Sequence, residues 1–176
     1  DSDICCATAF SPNGFQLVVG SITGVAKIRD AQTSKLLAEL SEHTDSVARV
    51  IYSPDGSRIA TLSYDGTAKI WDVTNSKQLI KILVSKQGYI NDIAFSPDGK
   101  LLATSSVDDV GQIVIWEVMT GKILFLLGYD SENFIVTPYG LAFSPDGRQL
   151  AVGYSDNTAK VWDISPMKYQ TQPLLV

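Results

Sequence analysis

The residue types of a hydrolytic triad occur together in one part of this chain. His43 is its single histidine, and Ser63 and Asp65 stand at neighbouring positions further along. A serine activated by a histidine that an aspartate orients is the arrangement of nucleophilic hydrolases. The same residue types can also form a hydrogen-bonded group that only holds loops together. We favour the structural role, because all three residues belong to one unit of an internal repeat.

Three carboxylates offer the oxygen ligands of a calcium site. Asp108 and Asp109 are adjacent, and Asp130 follows in a later loop. Calcium loops place their ligands at fixed, short intervals, and this spacing matches no such loop. The sequence therefore predicts no metal and no cofactor.

The two cysteines, Cys5 and Cys6, are also adjacent. Neighbouring strand residues point to opposite faces of a sheet, so these thiols are poorly placed to bridge each other. Two cysteines alone are not a disulfide framework. We expect buried structural thiols in a reducing compartment, and hence a cytoplasmic protein.

Charge and hydropathy argue against two classes of partner. The net charge of −5 and the pI near 4.7 disfavour nucleic acid, because phosphate binding needs a basic face. No apolar run approaches the ~20 residues that span a bilayer, so no membrane partner is expected. No secretion leader is visible, and the chain opens without Met inside a repeat, which favours a fragment.

Two sequence marks recur in phase along the chain. The tetrapeptide Ser-Pro-Asp/Asn-Gly begins at Ser11, Ser53, Ser96 and Ser144. Each copy is followed by a second mark: Arg29-Asp30, Trp71-Asp72, Trp116-Glu117 and Trp162-Asp163. Signals in phase predict tandem units of roughly 40–50 residues, the range of propeller blades.

The second unit indicates how each repeat folds. Pro54 fixes φ at the first corner of a turn, and Gly56 accepts a positive φ at the last. The Asp65-Gly66 pair is a hairpin signal. Runs rich in apolar and β-branched residues flank these turns, and they predict strands at Ser46–Tyr52, Arg58–Ser63, Ala68–Val73 and Gln78–Leu83. Such meanders pack face to face around an axis, because one sheet cannot bury both apolar faces alone.

These residues resemble the WD-repeat family of β-propellers across essentially the whole chain. The third unit carries Ile93–Ser106 and ends in Ile115–Glu117, while the second and fourth share Thr-Ala-Lys-Ile/Val-Trp-Asp at Thr67–Asp72 and Thr158–Asp163. The resemblance implies an all-β fold, a β-propeller made of four four-stranded antiparallel blades. It forms one region over 1–176, with blades at about 1–42, 43–85, 86–128 and 129–176.

The resemblance also implies a structural tetrad. In that family a histidine, a strand-two Ser or Thr, a turn aspartate and the tryptophan bond together and hold each blade's loops. The second unit supplies His43, Ser63 (or Thr61), Asp65 and Trp71. The other units depart from the set: the fourth keeps Asp156 and Trp162 but has Tyr154 at the position of Ser63 and no histidine, and the third keeps Trp116 without a histidine. The first has Thr23 in place of the aspartate and Arg29 in place of the tryptophan.

Four blades are fewer than most propellers of this family contain. An open arc leaves the apolar outward faces of its first and last blades bare. We therefore expect part of a larger or oligomeric ring. A section of a longer propeller is the first choice and a homodimer closing an eight-bladed ring the second; self-closure is the remaining alternative.

Two longer connections mark a candidate partner-binding rim. The resemblance implies that loops from strand four to the next strand one lie on one rim with the strand two–three turns. Gly128–Thr137 and Val107–Gln112 are the longer examples. Their aromatic and acidic residues could anchor a basic partner; they are Tyr129, Asp130, Glu132, Phe134, Asp108 and Asp109.

The sequence predicts a non-enzymatic scaffold that presents rim loops to a protein or peptide, or to neighbouring domains of a longer chain. One alternative is a propeller enzyme or small-ligand binder with a site in the central channel. The predicted first strands offer Arg49, Asn91 and Asp92 there, without a matched acid–base pair. The other alternative is a purely structural assembly module.

Overall fold

Four antiparallel sheets, called blades 1 to 4 in chain order, make up the described part of the chain. The computed structural model describes residues 4–86, 90–107, 113–128 and 136–165. Within these ranges there are fifteen strands and no helix, which confirms the predicted all-β class. Each sheet is a meander in which consecutive strands pair.

The strands of all blades have similar lengths. Blade 1 contains β1 Cys5–Phe10, β2 Gln16–Ser21, β3 Ala26–Asp30 and β4 Leu36–Leu40. Blade 2 contains β5 Val47–Tyr52, β6 Arg58–Ser63, β7 Thr67–Asp72 and β8 Gln78–Leu83. Blade 3 contains β9 Ile90–Phe95, β10 Leu101–Ser106, β11 Ile113–Glu117 and β12 Ile123–Leu127. Blade 4 contains β13 Pro138–Phe143, β14 Gln149–Tyr154 and β15 Ala159–Asp163. The last strand predicted for blade 4, in Lys168–Val176, lies outside the described residues.

The Ser-Pro-Asp/Asn-Gly motif closes the turn between the first two strands of every blade. In blade 2, Ser53 Oγ donates to Asp55 Oδ1 at 2.6 Å and accepts from Arg58 N–H at 2.9 Å. Gly56 follows with φ of 72°, which glycine adopts without steric cost. Hydrogen bonds from Ser53 and Ser57 lower the pKa of Asp55 to about 2. The motif is therefore a self-contained turn, and its repetition is architectural.

Adjacent blades pack through two apolar faces of different character. We call the face that meets the following blade the leading face, and the one that meets the preceding blade the trailing face. In blade 2 the leading face includes Ala60 and Ile70, which join the core shared with blade 3. Its trailing face includes Ile59 and Trp71, which join the core shared with blade 1. Because neighbouring strand residues point to opposite faces, one short strand serves both cores.

The blades form an open arc. The first strands of consecutive blades lie against each other, which places β1, β5, β9 and β13 nearest the common axis. Within the described residues no comparable packing joins blade 4 to blade 1. Phe10 on blade 1 is 65% exposed and Val161 on blade 4 is 63% exposed, whereas their equivalents in the middle blades are covered to a much greater extent.

The prediction of buried thiols was wrong. Cys5 and Cys6 are both free and exposed. The strand that carries them is the first of blade 1, and within the described residues no other blade packs on the trailing face, where Cys5 lies. The pattern of apolar residues predicted a strand correctly, but burial depends on a neighbour that a single repeat does not reveal.

Burial, rather than bonding pattern, should set the cost of removing a turn serine. Ser53→Ala and Ser144→Ala both delete a bond to an aspartate and a bond from a backbone N–H, and Ser53 has in addition only a longer contact, 3.3 Å, to the Arg58 oxygen. Ser53 is fully buried and Ser144 is half-buried. We expect urea denaturation at one protein concentration to give losses of about 2 kcal/mol for Ser53→Ala and about 1 kcal/mol for Ser144→Ala. Equal losses would contradict this explanation.

Candidate functional site

A buried chain of hydrogen bonds crosses blade 2. His43 Nδ1 lies 2.8 Å from Asp65 Oδ2, and His43 Nε2 lies 2.7 Å from Thr61 Oγ1. Trp71 Nε1 donates to the same Thr61 oxygen at 2.9 Å. The chain therefore ties the connection before β5, the strands β6 and β7, and the turn between them into one unit.

This bonding pattern requires a neutral histidine. Nδ1–H donates to the Asp65 carboxylate, so Nε2 accepts from the Thr61 hydroxyl, which in turn accepts from Trp71 Nε1–H. A proton on Nε2 would leave the hydroxyl facing two donors, with none to receive its own hydrogen. Burial lowers the pKa of His43, in agreement with this arrangement, and outweighs the opposing influence of Asp65.

Asp65 remains ionised although it is partly buried. Burial raises the pKa of Asp65, but hydrogen bonds from Thr67, His43 and the Thr44 N–H outweigh that effect and lower it to about 2. The carboxylate thus accepts hydrogen bonds from Thr67, at the start of β7, and from His43 and Thr44, in the connection before β5. It acts as the fixed point to which the two loops attach.

Ser63 is not a member of this chain, so the assignment of Ser63 to the tetrad was wrong and its alternative, Thr61, takes the place. Ser63 Oγ donates to the backbone oxygen of Asp45 at 2.8 Å and accepts from Asp65 N–H. Thr61 lies two residues earlier on the same face of β6, opposite Lys69 rather than at the strand end. Ser63 makes no bond to the ring in the described structure, and the hydroxyl that does, that of Thr61, is fully buried.

The other blades keep fragments of the same chain. In blade 3, Trp116 Nε1 donates to Thr104 Oγ1 at 2.8 Å. In blade 4, Trp162 Nε1 reaches Tyr154 Oη at 3.3 Å, because Val152 stands where blade 2 has Thr61. In blade 1, Ser21 and Thr23 bond to each other at 2.6 Å. Blade 2 is the most completely bonded of the four within the described residues.

The polar residues predicted for the central channel connect blades. Arg49 Nε lies 3.4 Å from Asp92 Oδ1, and Asp92 Oδ2 accepts from the Leu141 N–H at 2.9 Å. Asn91 Nδ2 donates to the Pro138 oxygen at 2.7 Å. These bonds connect the first strands of blades 2, 3 and 4.

The bonded loops of blades 1 and 2 define a surface that we call the upper rim. It comprises the β2–β3 turn with Ile22, the β4–β5 connection with Glu42 and Asp45, and the β6–β7 turn with Tyr64. Tyr64 is 52% exposed and Ile22 is 43% exposed. Ser46 joins these loops, since its Oγ donates to the Ile22 oxygen at 3.1 Å and its backbone oxygen accepts from Tyr64 N–H at 3.0 Å.

The upper rim was missed as a candidate site from sequence, although a signal was present. Tyr64 directly precedes Asp65-Gly66, so it occupies a hairpin turn in which a large aromatic side chain has no core to enter. The predicted rim residues lie outside the described part of the chain; they are Asp108, Asp109, Tyr129, Asp130, Glu132 and Phe134. Within the described ranges, no group of three or more His, Cys, Asp or Glu side chains could hold a metal ion.

A search of those ranges for a helix long and apolar enough to cross a membrane finds none.

The blade architecture defines the chain as a section of a β-propeller. A family model described as "WD domain, G-beta repeat" matches residues 34–72, 77–116 and 127–163, well over half of the sequence. The chain therefore belongs to the WD40 family. The part carrying β1 to β3, where Thr23 and Arg29 replace family residues, falls outside the matched ranges.

Solved structures support the same fold. The crystal structure of the computationally designed Ika4 protein is similar with 26% sequence identity and a TM-score of 0.74, covering 93% of this chain and 92% of that chain. A comparison with curated proteins finds no match. The family match and this structural similarity confirm the predicted β-propeller architecture and leave the partner to be inferred from the surface.

Replacing Thr61 or Thr104 with valine should lower the free energy of unfolding by different amounts, because the two hydroxyl groups make different numbers of hydrogen bonds. Thr61→Val leaves His43 Nε2 and Trp71 Nε1 without their buried partner, whereas Thr104→Val leaves only Trp116 Nε1. Both threonines are fully buried, and valine matches their shape. With roughly 1–2 kcal/mol for each buried polar atom left unpaired, we expect losses of about 3 and about 1.5 kcal/mol in urea denaturation. A Thr104→Val loss as large as that of Thr61→Val would contradict the chain of bonds.

The neutral state of His43 predicts a stability that falls with acidification below neutral pH. Unfolded histidine has a pKa of about 6.5 and takes up a proton first, because the pKa of folded His43 is lower. Protonation therefore favours the unfolded chain, and the free energy of unfolding should decrease between about pH 7.5 and 5.5. The chain has one histidine, so His43→Gln should remove this slope while lowering overall stability. Denaturation in urea at each pH measures both chains. A slope retained in His43→Gln, or higher stability at pH 5.5, would contradict the prediction.

Proposed function

We propose that this chain is a non-enzymatic protein-interaction scaffold whose upper rim binds a protein or peptide. WD40 repeats generally mediate protein–protein interaction, and this membership supports the class of function. The surface of blades 1 and 2 supports the choice of rim. The single observation that carries the proposal is the exposure of Tyr64 on loops that are bonded in place.

Rigid support makes Tyr64 suitable as a binding anchor. Its turn is fixed through Asp65, which bonds to His43 and to the Thr44 N–H. A preorganised aromatic side chain loses little conformational entropy on binding, and tyrosine is enriched among the residues that dominate interface energies. Ile22, whose loop is joined to that of Tyr64 through Ser46, adds a second exposed apolar side chain. A partner that covers the tyrosine ring and the isoleucine methyl groups gains contact area without having to order the loops.

Charge around this apolar surface favours a basic partner. Glu42, Asp45 and Thr44 are exposed on the β4–β5 connection, and the chain carries a net charge of −5. Carboxylates at the edge of an interface steer oppositely charged partners and select against acidic ones. We propose a segment in which Lys or Arg flanks an apolar residue.

The predicted rim of blades 3 and 4 belongs to the same proposal. Asp108 and Asp109 lie in the β10–β11 connection, which is equivalent to the turn of Tyr64. Tyr129, Asp130, Glu132 and Phe134 lie in the β12–β13 connection, which is equivalent to the loop of His43. We propose that both connections extend the upper rim, as the WD-repeat pattern of the sequence implies. A long partner would contact all four blades through these loops.

The polar chemistry of the described residues supports a scaffold rather than an enzyme. His43, the chain's single histidine, uses both ring nitrogens in hydrogen bonds that hold loops. Asp92 is bonded to Arg49 and to the backbone of blade 4. A general base needs a free lone pair within reach of substrate, and these groups are committed to architecture.

Peptide display tests the proposal. A random peptide library selected on the immobilised protein should yield sequences in which Lys or Arg flanks an apolar residue. Affinities of the selected peptides are then measured by fluorescence anisotropy. Tyr64→Ala should raise Kd about thirtyfold, the effect of losing an anchor of about 2 kcal/mol. Met119→Ala is the matched control, because Met119 is 66% exposed but lies in the β11–β12 turn at the opposite edge.

Two outcomes would contradict the proposed function. Equal weakening by Met119→Ala would show that exposure alone, and not the upper rim, determines binding. Turnover of generic esterase, glycosidase or peptidase substrates that disappears in Asp92→Ala would establish an enzyme with a channel site.

A further inference from the structure

Two open faces remain at the ends of the arc, and they are of opposite kinds. Among the described residues, no other blade packs on the trailing face of blade 1 or on the leading face of blade 4. Within the described residues, every junction between consecutive blades joins one leading face to one trailing face. The two ends of the arc therefore carry the two halves of a further junction.

The leading face of blade 4 repeats that of blade 1 position by position. Strand registers align β14 with β2 and β15 with β3. The equivalent pairs are Gln16 with Gln149, Val18 with Ala151, Gly20 with Gly153, Ala26 with Ala159, and Ile28 with Val161. The blade 1 members are mostly buried against blade 2, while Ala151, Ala159 and Val161 are exposed. A surface built like a blade junction is thus left without its blade.

The trailing face of blade 1 corresponds in the same way to that of blade 2. The registers align β1 with β5, β2 with β6 and β3 with β7. The equivalent pairs are Cys5 with Val47, Thr8 with Val50, Phe10 with Tyr52, Leu17 with Ile59, and Lys27 with Lys69. Arg29 in place of Trp71 is the main departure. Phe10 and Cys5 are exposed where Val47 is fully buried and Tyr52 is half-buried.

A close contact between blades 1 and 2 predicts what should meet Gly153. A Cβ atom added to Gly20 would lie 2.8 Å from Val47 Cγ1, so the side chain of β5 packs directly on the backbone of β2. At the equivalent Gly153, an added Cβ meets no atom within 4 Å. The residue equivalent to Val47 on the open trailing face is Cys5. A blade 1 seated on blade 4 would accordingly bring Cys5 to Gly153.

The turn motifs give a second, independent match. Pro12 of blade 1 lies 3.5 Å from an added Cβ on Gly56 of blade 2, and Pro54 of blade 2 lies 3.8 Å from one on Gly99 of blade 3. Gly14 of blade 1 faces open space instead. It lines a cavity of about 310 Å³ together with Phe10, Phe15, Asp30, Ala31 and Gln32. The equivalent proline that would enter this cavity is Pro145 of blade 4.

We propose that a second copy of this chain completes both faces. Blade 4 of each copy packs on blade 1 of the other, and the two copies close a ring of eight blades about a twofold axis. Both halves of the new junction lie in the same chain, and they correspond in strand register to the observed junction between blades 1 and 2. A closed ring leaves no apolar face bare, whereas repeated head-to-tail contact without closure would form filaments. This assembly is separate from the proposed rim function, since the faces and the upper rim use different residues.

Directed disulfide formation tests the geometry. A chain with Gly153→Cys and Cys6→Ser retains Cys5 as its one native thiol, and Gly153 has space and ordinary backbone geometry for a side chain. Diamide oxidises two thiols to a disulfide and is itself reduced to the hydrazine. We expect a covalent dimer of twice 19.1 kDa on a non-reducing gel, reversed by dithiothreitol. The controls are the same chain with Cys5→Ser, and Gly128→Cys in place of Gly153→Cys, because Gly128 is also open but follows the end of β12; neither should crosslink.

Solution mass provides a second measurement that needs no cysteine chemistry. Light scattering behind a sizing column should give twice 19.1 kDa for the wild-type chain. Val161→Arg should give the single-chain mass, because it places a charge in the junction. Leu83→Arg should stay dimeric, since Leu83 is similarly exposed, at 58% against 63%, but lies on the outer strand of blade 2.

Three outcomes would overturn the proposal. The first is a wild-type mass of one chain at all concentrations. The second is a disulfide between Cys5 and the cysteine introduced by Gly153→Cys within single chains, which would mean self-closure. A ladder of crosslinked species beyond the dimer is the third, and would mean an open head-to-tail assembly. None of these results bears on peptide binding at the upper rim, so this inference and the proposed function can fail separately.

Discussion

Burial of apolar surface between adjacent blades is the interaction on which the rest of this structure depends. Each blade is a thin sheet with apolar side chains on both faces, as Ile70 and Trp71 show at neighbouring positions of β7. A single sheet of this kind leaves one face or the other in water, where each Å² of apolar area costs about 25 cal/mol. Stability is therefore shared between neighbours, and no blade has a core that belongs to it alone.

This dependence explains where polar side chains are placed. Most strand positions within the faces are occupied by packing, so hydrogen-bonding side chains lie in turns, along the axis and at a few buried strand positions such as Thr61 and Thr104. His43, Thr61 and Asp65 tie two loops to the edge of blade 2, and Arg49 and Asp92 tie first strands together. Because these groups hydrogen-bond to one another, they hold the loops and the first strands rigidly in place. Loop tips such as that of Tyr64 are left exposed but held in place.

Sequence reasoning was most accurate where the signal is local. The strand Gln78–Leu83 and the Ser-Pro-Asp-Gly turns were predicted correctly, because β-branched runs, proline and glycine act through their own backbone. The choice between Thr61 and Ser63 was harder. Both lie on one face of β6, and only the pairing of β6 with β7 places Thr61 within reach of His43 and Trp71. Register across strands is a non-local property, and one sequence does not encode it visibly.

The prediction that Cys5 and Cys6 are buried was wrong for a related reason. An apolar strand pattern indicates that a sheet face can be buried, but it does not indicate which element buries it. The same limit applies to the whole of blade 1, whose trailing face has the residue types of an interior junction without the neighbour. Tyr64 is the converse case, since its turn position alone indicated exposure. Local chemistry thus predicts exposure at turns better than burial in strands when the neighbour belongs to another repeat.

Alternation along the strands finally restricts where any ligand can bind. Within a blade flanked on both sides, successive side chains of the inner strands enter one core or the other, and none remains free along the faces. Only the two edges of the blade and the axis present groups to solvent. Along the axis of blades 2 to 4, Arg49, Asn91 and Asp92 bond across blades. In a blade flanked on both sides, the connections can therefore change without disturbing the packed faces.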